Sequence, residues 1–369
     1  MSENISCGPV VIGAGVIGLA IAHELAKKHK DVVVLESEAG FGHHTSSRNS
    51  EVIHSGIYYT PGSLKSEMCL RGKSLLYQFL NRNGIQYNMC GKLIVAGYVD
   101  DEQVSLEALM ANARQVNISY QEVFWNDPTI KQSIPLKPCR AVLIPDTGYF
   151  DSHEFMRKLE QRVADTGGSV SYLSKVTAIT PTDNQWEILV NNSEFKIRTN
   201  TIVNAAGLYA DKIANMAGFT KYKQFFYKGE YYKTNKLKNL KHLVYSVPPA
   251  DQMSLGIHTR HYIDGSIGFG PNAYPVSDIS YDISDSNKHE FLKDINKYFT
   301  VNFNDEDIYP DYSGIRPKIN GGGLKADFMI NKEDCDGDRT MISMTGIESP
   351  GLTCSLAIAE YVSKILDCQ

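Results

Sequence analysis

The chain has 369 residues, 42% of them hydrophobic, so it can bury a large core and should form about two domains. Its net charge of -5 and the lack of a basic stripe predict no nucleic-acid partner, and the four lysines from Lys233 to Lys241 are expected in a solvated loop. The apolar runs are too short for a transmembrane segment, and the first strand begins too early to leave room for a signal peptide. Seven cysteines without a CxxC pair favour a reducing compartment, so we expect a cytoplasmic protein.

The most informative segment begins with an apolar strand at Val10. The turn Gly13-Ala14-Gly15-Val16-Ile17-Gly18 follows, then a helical run to Lys28 and a second strand that ends at Glu36. The first glycine permits a tight turn, the second lets the backbone approach a pyrophosphate, and the third lets helix and strand pack closely. Amide groups at the helix N-terminus favour anionic oxygen. We expect Glu36 and the adjacent Ser37 to bind the ribose of an adenine dinucleotide.

A polar loop after Glu36 favours FAD over NAD as that dinucleotide. An NAD domain would usually continue into another helix and strand, whereas this chain continues with small hydrogen-bonding residues. Such a loop can wrap the additional phosphate and ribityl oxygens of the longer FAD. The predicted contacts in the loop are Thr45, Ser46, Ser47, Arg48, Asn49 and Ser50, with His43 and His44 beside them. The apolar spacing after the loop predicts a helix over residues 63–83.

Later segments are expected to return to the same cofactor. A helix over residues 152–166 precedes a strand pattern over 167–179. A later strand over 201–207 ends in small residues, which let a ligand approach the backbone. Near the C-terminus, a strand over 341–344 leads into a glycine-rich turn and a final helix through Leu366. The dipole of that helix suits the flavin N1–C2=O edge, which becomes anionic on reduction. The predicted contacts are Val176, Ala206, Gly207, Gly346, Ile347, Glu348, Gly351, Leu352 and Thr353.

Four passages resemble the D-amino-acid-oxidase-like superfamily of FAD-dependent oxidoreductases, and within it the L-2-hydroxyglutarate dehydrogenase and oxidase group. They are SSRNSEVIHSGIYY from Ser46, CGKLIVA from Cys90, LGIHTRHYIDGSIGFGPNA from Leu255 and SGIRPK from Ser313. The chain is somewhat shorter than typical members, and Glu51 stands where they often have glycine. The resemblance implies FAD-dependent oxidation of a small α-hydroxy acid.

The segment order predicts an α/β fold in which a Rossmann-like FAD-binding domain is interleaved with a substrate domain. The FAD-binding domain is expected to take residues 1–85, 145–220 and 321–369. The substrate domain, with a mostly antiparallel sheet, is expected to take 86–144 and 221–320. Its strands are predicted over 92–97, 224–233, 255–259 and 265–270.

Three residues are the catalytic candidates. The resemblance implies that Arg316, in Gly314-Ile315-Arg316-Pro317, pairs with the substrate carboxylate, which a guanidinium can bind in bidentate fashion. His54 and His258 compete for the role of general base, because histidine titrates near neutrality. Weaker candidates for binding a distal carboxylate are Tyr58, Lys228 and Tyr231. No histidine spacing predicts a metal site.

Several alternatives stay open on the sequence. An amino-acid or glycerol-3-phosphate oxidoreductase of the same superfamily is one, although glycerol phosphate calls for more cationic groups than this pattern offers. A non-catalytic flavin-binding assembly or regulatory protein is another. The electron acceptor is oxygen, a quinone or another carrier, and a quinone would imply peripheral membrane association. We expect FAD to be bound non-covalently, with Cys354 as a small buried helix residue.

Overall fold

A six-stranded sheet lies at the centre of the computed structural model, which describes residues 4–193, 195–248, 255–319 and 326–367. All neighbouring strands in this sheet are parallel except the last pair. Alternating strands and helices give such a sheet because parallel strands need crossover connections. In sheet order, its strands are Ser169–Ser171, Val33–Leu35, Val10–Ile12, Thr201–Asn204, Thr340–Thr345 and Met329–Lys332.

The helices end close to the residues that their sequence signals predict. Ser63 caps one helix by accepting a hydrogen bond from the Ser66 amide at 3.2 Å, and Gly84 ends it with a left-handed φ of 65°. Within the described residues, the α-helices are α1 Val16–Ala26, α2 Leu64–Asn83, α3 Asp100–Gln115, α4 Pro128–Lys131, α5 Ser152–Asp165, α6 Ala210–Met216, α7 Lys288–Tyr298 and α8 Gly351–Asp367. Short 3₁₀ turns occupy Thr45–Ser47, Gly207–Tyr209, Asp285–Asn287 and Asp305–Asp307.

A second, antiparallel sheet is built around the long strand Gln224–Lys238. The prediction of a solvated loop from Lys233 to Lys241 was therefore wrong for residues 233–238, which belong to this strand. Backbone pairing extends the strand, and Lys236 pairs with Asp307 at 2.6 Å. The strand predicted from residue 255 begins at His258 instead. The other strands of this sheet are His258–His261, Ser266–Gly270, Tyr274–Val276 and Ile308–Ile319.

Three smaller sheets complete the described fold. One contains Leu243–Ser246, Lys92–Ala96, Arg140–Ile144 and Gln121–Phe124; another Asn4–Ser6, Lys196–Thr199, Trp186–Val190 and Val176–Pro181; the third Val52–Ile53, Gly148–Phe150 and Tyr87–Asn88. The predicted mixed α/β fold is confirmed. The domain boundaries stay a prediction, and residues 1–3, 194, 321–325 and 368–369 of the predicted FAD-binding segments lie outside the described residues. None of the described helices is both long and apolar enough to cross a membrane.

The main core packs helices against one side of the central sheet. Helices α1, α2, α5 and α8 contribute buried side chains to one apolar cluster, which includes Leu19, Leu76, Phe155 and Ile358. This packing fixes the N-termini of α1 and α8. Both helices begin at residues that line the same large cavity, so the core positions the site described next.

Candidate active site

A cavity of about 600 Å³ is lined by residues from the central parallel sheet region and from the antiparallel sheet. Its size lies within the range of cofactor and ligand pockets. The glycine-rich turn after Val10–Ile12 lines one part, and Arg316 and His258 line another. The two sets of predicted site residues, cofactor-binding and catalytic, therefore share one cavity.

The glycine-rich turn has the geometry that its sequence predicts. Gly13 has a φ of +105°, and a Cβ there would lie 2.6 Å from the Ala205 carbonyl oxygen. A Cβ on Gly18 would lie 1.9 Å from the Gly13 carbonyl oxygen, so the third glycine permits helix packing and does not itself line the cavity. The first amide of α1, on Val16, donates to the Ser46 hydroxyl at 3.0 Å. The N-terminus of α1, which has Gly15 and no capping side chain at its N-cap position, thus borders the cavity together with Ser46 where a pyrophosphate is expected.

Glu36 is a nearly buried carboxylate at the end of the second strand, with only 8% of its surface exposed. It accepts hydrogen bonds from the amides of Ala14 at 2.6 Å and Glu38 at 2.9 Å. The Ser37 hydroxyl also donates to it at 3.2 Å. These donors hold the carboxylate at the cavity wall, where its remaining acceptor capacity suits ribose hydroxyls.

The polar loop joins the cofactor region to the strand that carries Arg316. The Thr45 hydroxyl donates to the Ile315 carbonyl at 2.9 Å, and Arg48 donates to the Ser313 carbonyl at 3.3 Å. Of the predicted loop contacts, Thr45, Ser46, Arg48, Asn49 and Ser50 line the cavity. Ser47 lies behind them, near Gly42.

The later cofactor segments also reach the cavity. Lining residues among those predicted are Val176, Ala206, Gly207, Ile347, Glu348, Gly351 and Leu352. Gly346 and Thr353 do not line it. The Gly346 amide donates to the Gln224 side chain at 2.8 Å, and the Thr353 hydroxyl accepts from the His54 amide at 3.1 Å. These two residues therefore fix the walls of the cavity from behind.

His258 is held in one tautomer by the backbone. Its Nδ1 lies 2.8 Å from the Gly256 carbonyl oxygen, which can only accept, so Nδ1 carries the proton of the neutral ring. Nε2 is then the unprotonated nitrogen of a residue that lines the cavity. The imidazole stacks on Tyr245 with ring centroids 3.8 Å apart. Burial, with a smaller contribution from the charges of Lys92 and Arg316, lowers the pKa of His258 to about 3.

His54 lines the same cavity in a different environment. Its Nε2 lies 3.3 Å from the Ser349 hydroxyl, and its buried Nδ1 has no hydrogen-bond partner among the described residues. Burial, together with the charges of Lys92 and His258, holds the pKa of His54 well below its ordinary 6.5. Both predicted histidines are therefore neutral at physiological pH, as a general base must be.

Arg316 lies on the strand Ile308–Ile319 and lines the cavity. Its Nη1 donates to the Asn272 carbonyl at 3.3 Å. Within the described parts of the chain, no carboxylate forms an ion pair with Arg316, so its fork is available to an anionic ligand. Tyr231, which stacks on Tyr312 at 4.3 Å and shares a 3.0 Å hydrogen bond with Ser50, lines the cavity too.

Comparison with known proteins agrees with this geometry. The family described as FAD dependent oxidoreductase matches residues 10–365. This chain belongs to that family. It is 32% identical to an L-2-hydroxyglutarate dehydrogenase from Arabidopsis thaliana over 96% of this chain and 82% of the relative. With the human L-2-hydroxyglutarate dehydrogenase it shares 30% identity over 96% of this chain and 87% of the relative. The predicted family resemblance and the FAD cofactor are confirmed.

Solved structures share the fold. L-α-glycerophosphate oxidase from Mycoplasma pneumoniae, with FAD bound, superposes with a TM-score of 0.86 at 23% identity, covering 98% of this chain and 95% of that chain. Glycine oxidase from Geobacillus kaustophilus gives a TM-score of 0.80 at 17% identity, covering 99% and 95%. At these identities, the likeness supports the fold alone.

The FAD-dependent oxidoreductase contains two buried lysines that sequence reasoning missed. Glu348 accepts from Lys65 at 3.1 Å and lies 3.6 Å from Lys318, and all three side chains line the cavity. Burial lowers the pKa of Lys318, while Glu348 raises it. Strand alternation could have found Lys318, because it follows Arg316 by two residues and therefore shares its face. No local sequence pattern indicates Lys65, which lies in the first turn of α2, far from Glu348 along the chain.

Two predicted substrate contacts, Lys228 and Tyr58, do not line the cavity, and their roles stay predictions. Lys228 does not line the cavity, and its ammonium donates to the Asp282 carbonyl. Its strand neighbours Gly229 and Tyr231 line the cavity instead. Alternate residues of a strand share a face, so Gly229 and Tyr231 lie on one face and Lys228 lies on the other. Tyr58 is also absent from the lining, and its buried hydroxyl has no hydrogen-bond partner among the described residues.

Glu51 adopts a left-handed backbone conformation with a φ of +56°, a region that favours glycine. In this chain the Glu51 side chain makes two polar contacts. Its carboxylate pairs with Arg260 at 2.7 Å and accepts from the Ser152 hydroxyl at 2.7 Å. The buried ion pair connects the cavity wall to the antiparallel sheet.

Cys354 is fully buried, does not line the cavity, and has a thiol pKa raised well above its ordinary value by burial. The non-covalent state of FAD stays a prediction. Among the described residues, no cluster of three or more histidine, cysteine or acidic side chains could hold a metal ion.

Proposed function

We propose that this FAD-dependent enzyme oxidises a small L-2-hydroxy acid to the 2-keto acid, with L-2-hydroxyglutarate as the leading substrate. One observation carries the proposal. The same cavity holds a neutral imidazole with an unprotonated Nε2, on His258, and a guanidinium, on Arg316, that has no carboxylate partner among the described residues. A hydroxy acid needs a proton acceptor at its hydroxyl and a cation at its carboxylate. Relatives named L-2-hydroxyglutarate dehydrogenase support the choice of substrate.

In the proposed mechanism, Arg316 binds the substrate carboxylate and thereby orients the α-carbon. His258 Nε2 accepts the hydroxyl proton as the C–O bond becomes a carbonyl. When bound, FAD supplies the acceptor for the hydride that leaves the α-carbon. After the keto acid leaves, the imidazolium returns its proton to solvent. His54 lies in the same cavity as a second candidate base, and Tyr231 is the remaining candidate for a distal polar group.

The residues around the turn fit FAD in this role. Three features border the cavity: the N-terminus of α1, Gly13 with no room for a Cβ, and the Glu36 carboxylate. They would hold the pyrophosphate and the adenosine ribose. Gly351 at the start of α8 would place a second helix N-terminus near the flavin. Oxygen or a quinone as electron acceptor, and a cytoplasmic location, stay predictions.

Glycerol-3-phosphate is a second candidate because the cavity contains more cations than the sequence indicated. Lys65 and Lys318 both line it, and Glu348 is the carboxylate that they share. The two lysine amines lie beside one glutamate, and they offer hydrogen-bond donors to a phosphate. A test of the substrate therefore has to include both L-2-hydroxyglutarate and glycerol-3-phosphate.

Anaerobic reduction of the flavin tests the proposal directly. The FAD-loaded protein is mixed with L-2-hydroxyglutarate, its D-enantiomer, lactate, glycerol-3-phosphate or single amino acids, and the flavin absorbance band is followed. We expect rapid bleaching with L-2-hydroxyglutarate and at least hundredfold slower bleaching with the D-enantiomer. Bleaching by glycerol-3-phosphate or an amino acid alone would replace the proposed substrate. If dithionite bleaches the flavin and none of these compounds does, every substrate named here is wrong.

A further inference from the structure

Lys92 is a fully buried cation close to the candidate base, and the proposed mechanism does not use it. It begins the strand Lys92–Ala96 within the passage CGKLIVA, and none of its surface is exposed. Its Nζ has no hydrogen-bond partner in the part of the chain that the structure describes. A buried ammonium without a partner is costly, so its surroundings need an explanation.

Two tyrosine rings surround this amine. Lys92 Nζ lies 4.5 Å from the ring centroid of Tyr58 and 4.7 Å from that of Tyr245. The faces of aromatic rings attract an ammonium, so the rings favour its charged form. The Tyr245 ring also stacks on the His258 imidazole, with centroids 3.8 Å apart and planes 16° apart. One ring therefore contacts both the lysine and the candidate base.

Opposing effects act on the charge of Lys92. Burial lowers the pKa of Lys92 to about 7, whereas Cys69 on α2 and Asp146 after the strand Arg140–Ile144 raise it. Asp146 is itself paired with Lys73. The lysine is therefore close to the balance between ammonium and free amine at neutral pH, unlike an exposed lysine.

The charge of Lys92 acts on the two histidines of the cavity. It lowers the pKa of both His54 and His258. The other groups that act on His258 are Arg316, which lowers its pKa, and the Gly256 carbonyl, which raises it. Arg316 is charged at every working pH, so Lys92 is the neighbour whose charge can change near neutrality.

We propose that Lys92 is a positioning residue whose charge state sets how readily His258 accepts the substrate proton. As an ammonium, Lys92 opposes the arrival of a proton on the imidazole that shares Tyr245 with it. As a free amine, it no longer does so. This inference rests on the proposed function, because it concerns the transfer of the hydroxyl proton to His258 Nε2.

The first test is the pH dependence of flavin reduction by the substrate. The second-order rate constant of the wild-type enzyme should rise by roughly three- to tenfold in a step centred near pH 7. Lys92→Met removes the charge with similar side-chain length, so the step should disappear and the rate at pH 6 should exceed that of wild type. A purely structural role for Lys92 would instead lower the rate at every pH.

Tyr245→Phe is the matched control, since it keeps both rings and removes only a hydroxyl that has no hydrogen-bond partner among the described residues. It should retain the step near pH 7. Persistence of the step in Lys92→Met would overturn the proposal. So would a Tyr245→Phe profile that resembles the profile of Lys92→Met.

A second measurement needs no substrate, and the Lys92 signal is assigned by its absence from the spectrum of Lys92→Met. Lysine side chains labelled with ¹³C at Cε are titrated by NMR in the FAD-loaded wild-type protein. We expect one buried lysine to titrate near pH 7, whereas ordinary lysines titrate at about 10.4. If every lysine titrates above pH 9, the proposal is wrong even where the substrate assignment holds. If a lysine does titrate near pH 7 but no hydroxy acid bleaches the flavin, the proposed function is the part that fails.

Discussion

His258 Nδ1 lies 2.8 Å from the Gly256 carbonyl oxygen, and this contact between residues two positions apart determines which ring nitrogen can act as a base. Because the carbonyl requires a donor, the lone pair of the neutral ring is on Nε2. The backbone just before the strand His258–His261 thus fixes the tautomer of the imidazole before any substrate binds.

Replacing His258 should remove the proton acceptor while keeping the backbone contact. In His258→Asn, the side-chain amide can still donate toward the Gly256 carbonyl, but it cannot accept the hydroxyl proton. We expect flavin reduction by the substrate to slow by about 10²–10⁴-fold. His54→Asn should slow it less, because His54 Nε2 faces the Ser349 hydroxyl. Stopped-flow absorbance measures both rates, and a larger loss in His54→Asn would reverse the two roles.

Replacing Arg316 should weaken substrate binding more than it affects folding. Arg316→Lys keeps a positive charge but loses the bidentate fork, so we expect kcat/KM to fall by about 10²-fold. Arg316→Met should lose a further tenfold. Arg71→Met serves as the control, because that exposed arginine pairs with Glu360 at the surface. Equal losses in the control and in Arg316→Met would exclude the carboxylate-binding role.

The buried triad of Lys65, Glu348 and Lys318 should tune the reduction potential of the flavin. Reduction adds negative charge to the cofactor, so a nearby positive charge favours it and a negative charge opposes it. Lys318→Met should therefore lower the midpoint potential, and Glu348→Gln should raise it, each by tens of millivolts, where ~30 mV corresponds to about 1.4 kcal/mol. Spectroelectrochemical titration measures these shifts. Shifts of the same sign in both variants would contradict a charge effect.

The ion pair between Glu51 and Arg260 should stabilise the protein although it strains the backbone. Glu51→Gly relieves the left-handed conformation but leaves the Arg260 guanidinium buried without its carboxylate. We expect a net loss of about 3 kcal/mol in the free energy of unfolding in urea. Adding Arg260→Met to Glu51→Gly should restore part of that loss. A double variant less stable than Glu51→Gly would show that the pair is not the main interaction.

His261 should make the protein less stable in mild acid. Burial lowers the pKa of His261 to about 3, whereas the unfolded chain binds a proton near pH 6.5. Between these values the unfolded state binds the additional proton, so stability falls as the pH decreases from 6.5 and is constant above it. His261→Phe should reduce the loss between pH 7 and pH 5 by about 2 kcal/mol, measured by urea unfolding. The exposed His289→Gln is the control and should behave as wild type.

The features that depend on short-range patterns could be predicted from the amino-acid sequence. The glycine turn from Gly13, the acid at Glu36 and the alternation of strands and helices each follow from residues close together in the chain. They identified FAD and the α/β fold correctly because a dinucleotide-binding turn is a local backbone structure. The motif around Arg316 likewise indicated a guanidinium that lines the cavity.

The other side chains that reach the cavity could not be predicted, because long-range packing brings them there. Whether a strand residue faces the ligand depends on the register between strands far apart in sequence, and a shift of one position reverses the face. For this reason no local pattern showed that Lys228 does not line the cavity or that Lys65 does. Lys65 meets Glu348, and Glu51 meets Arg260, across more than two hundred residues. Such contacts arise from the packing of separate elements, which no local pattern encodes.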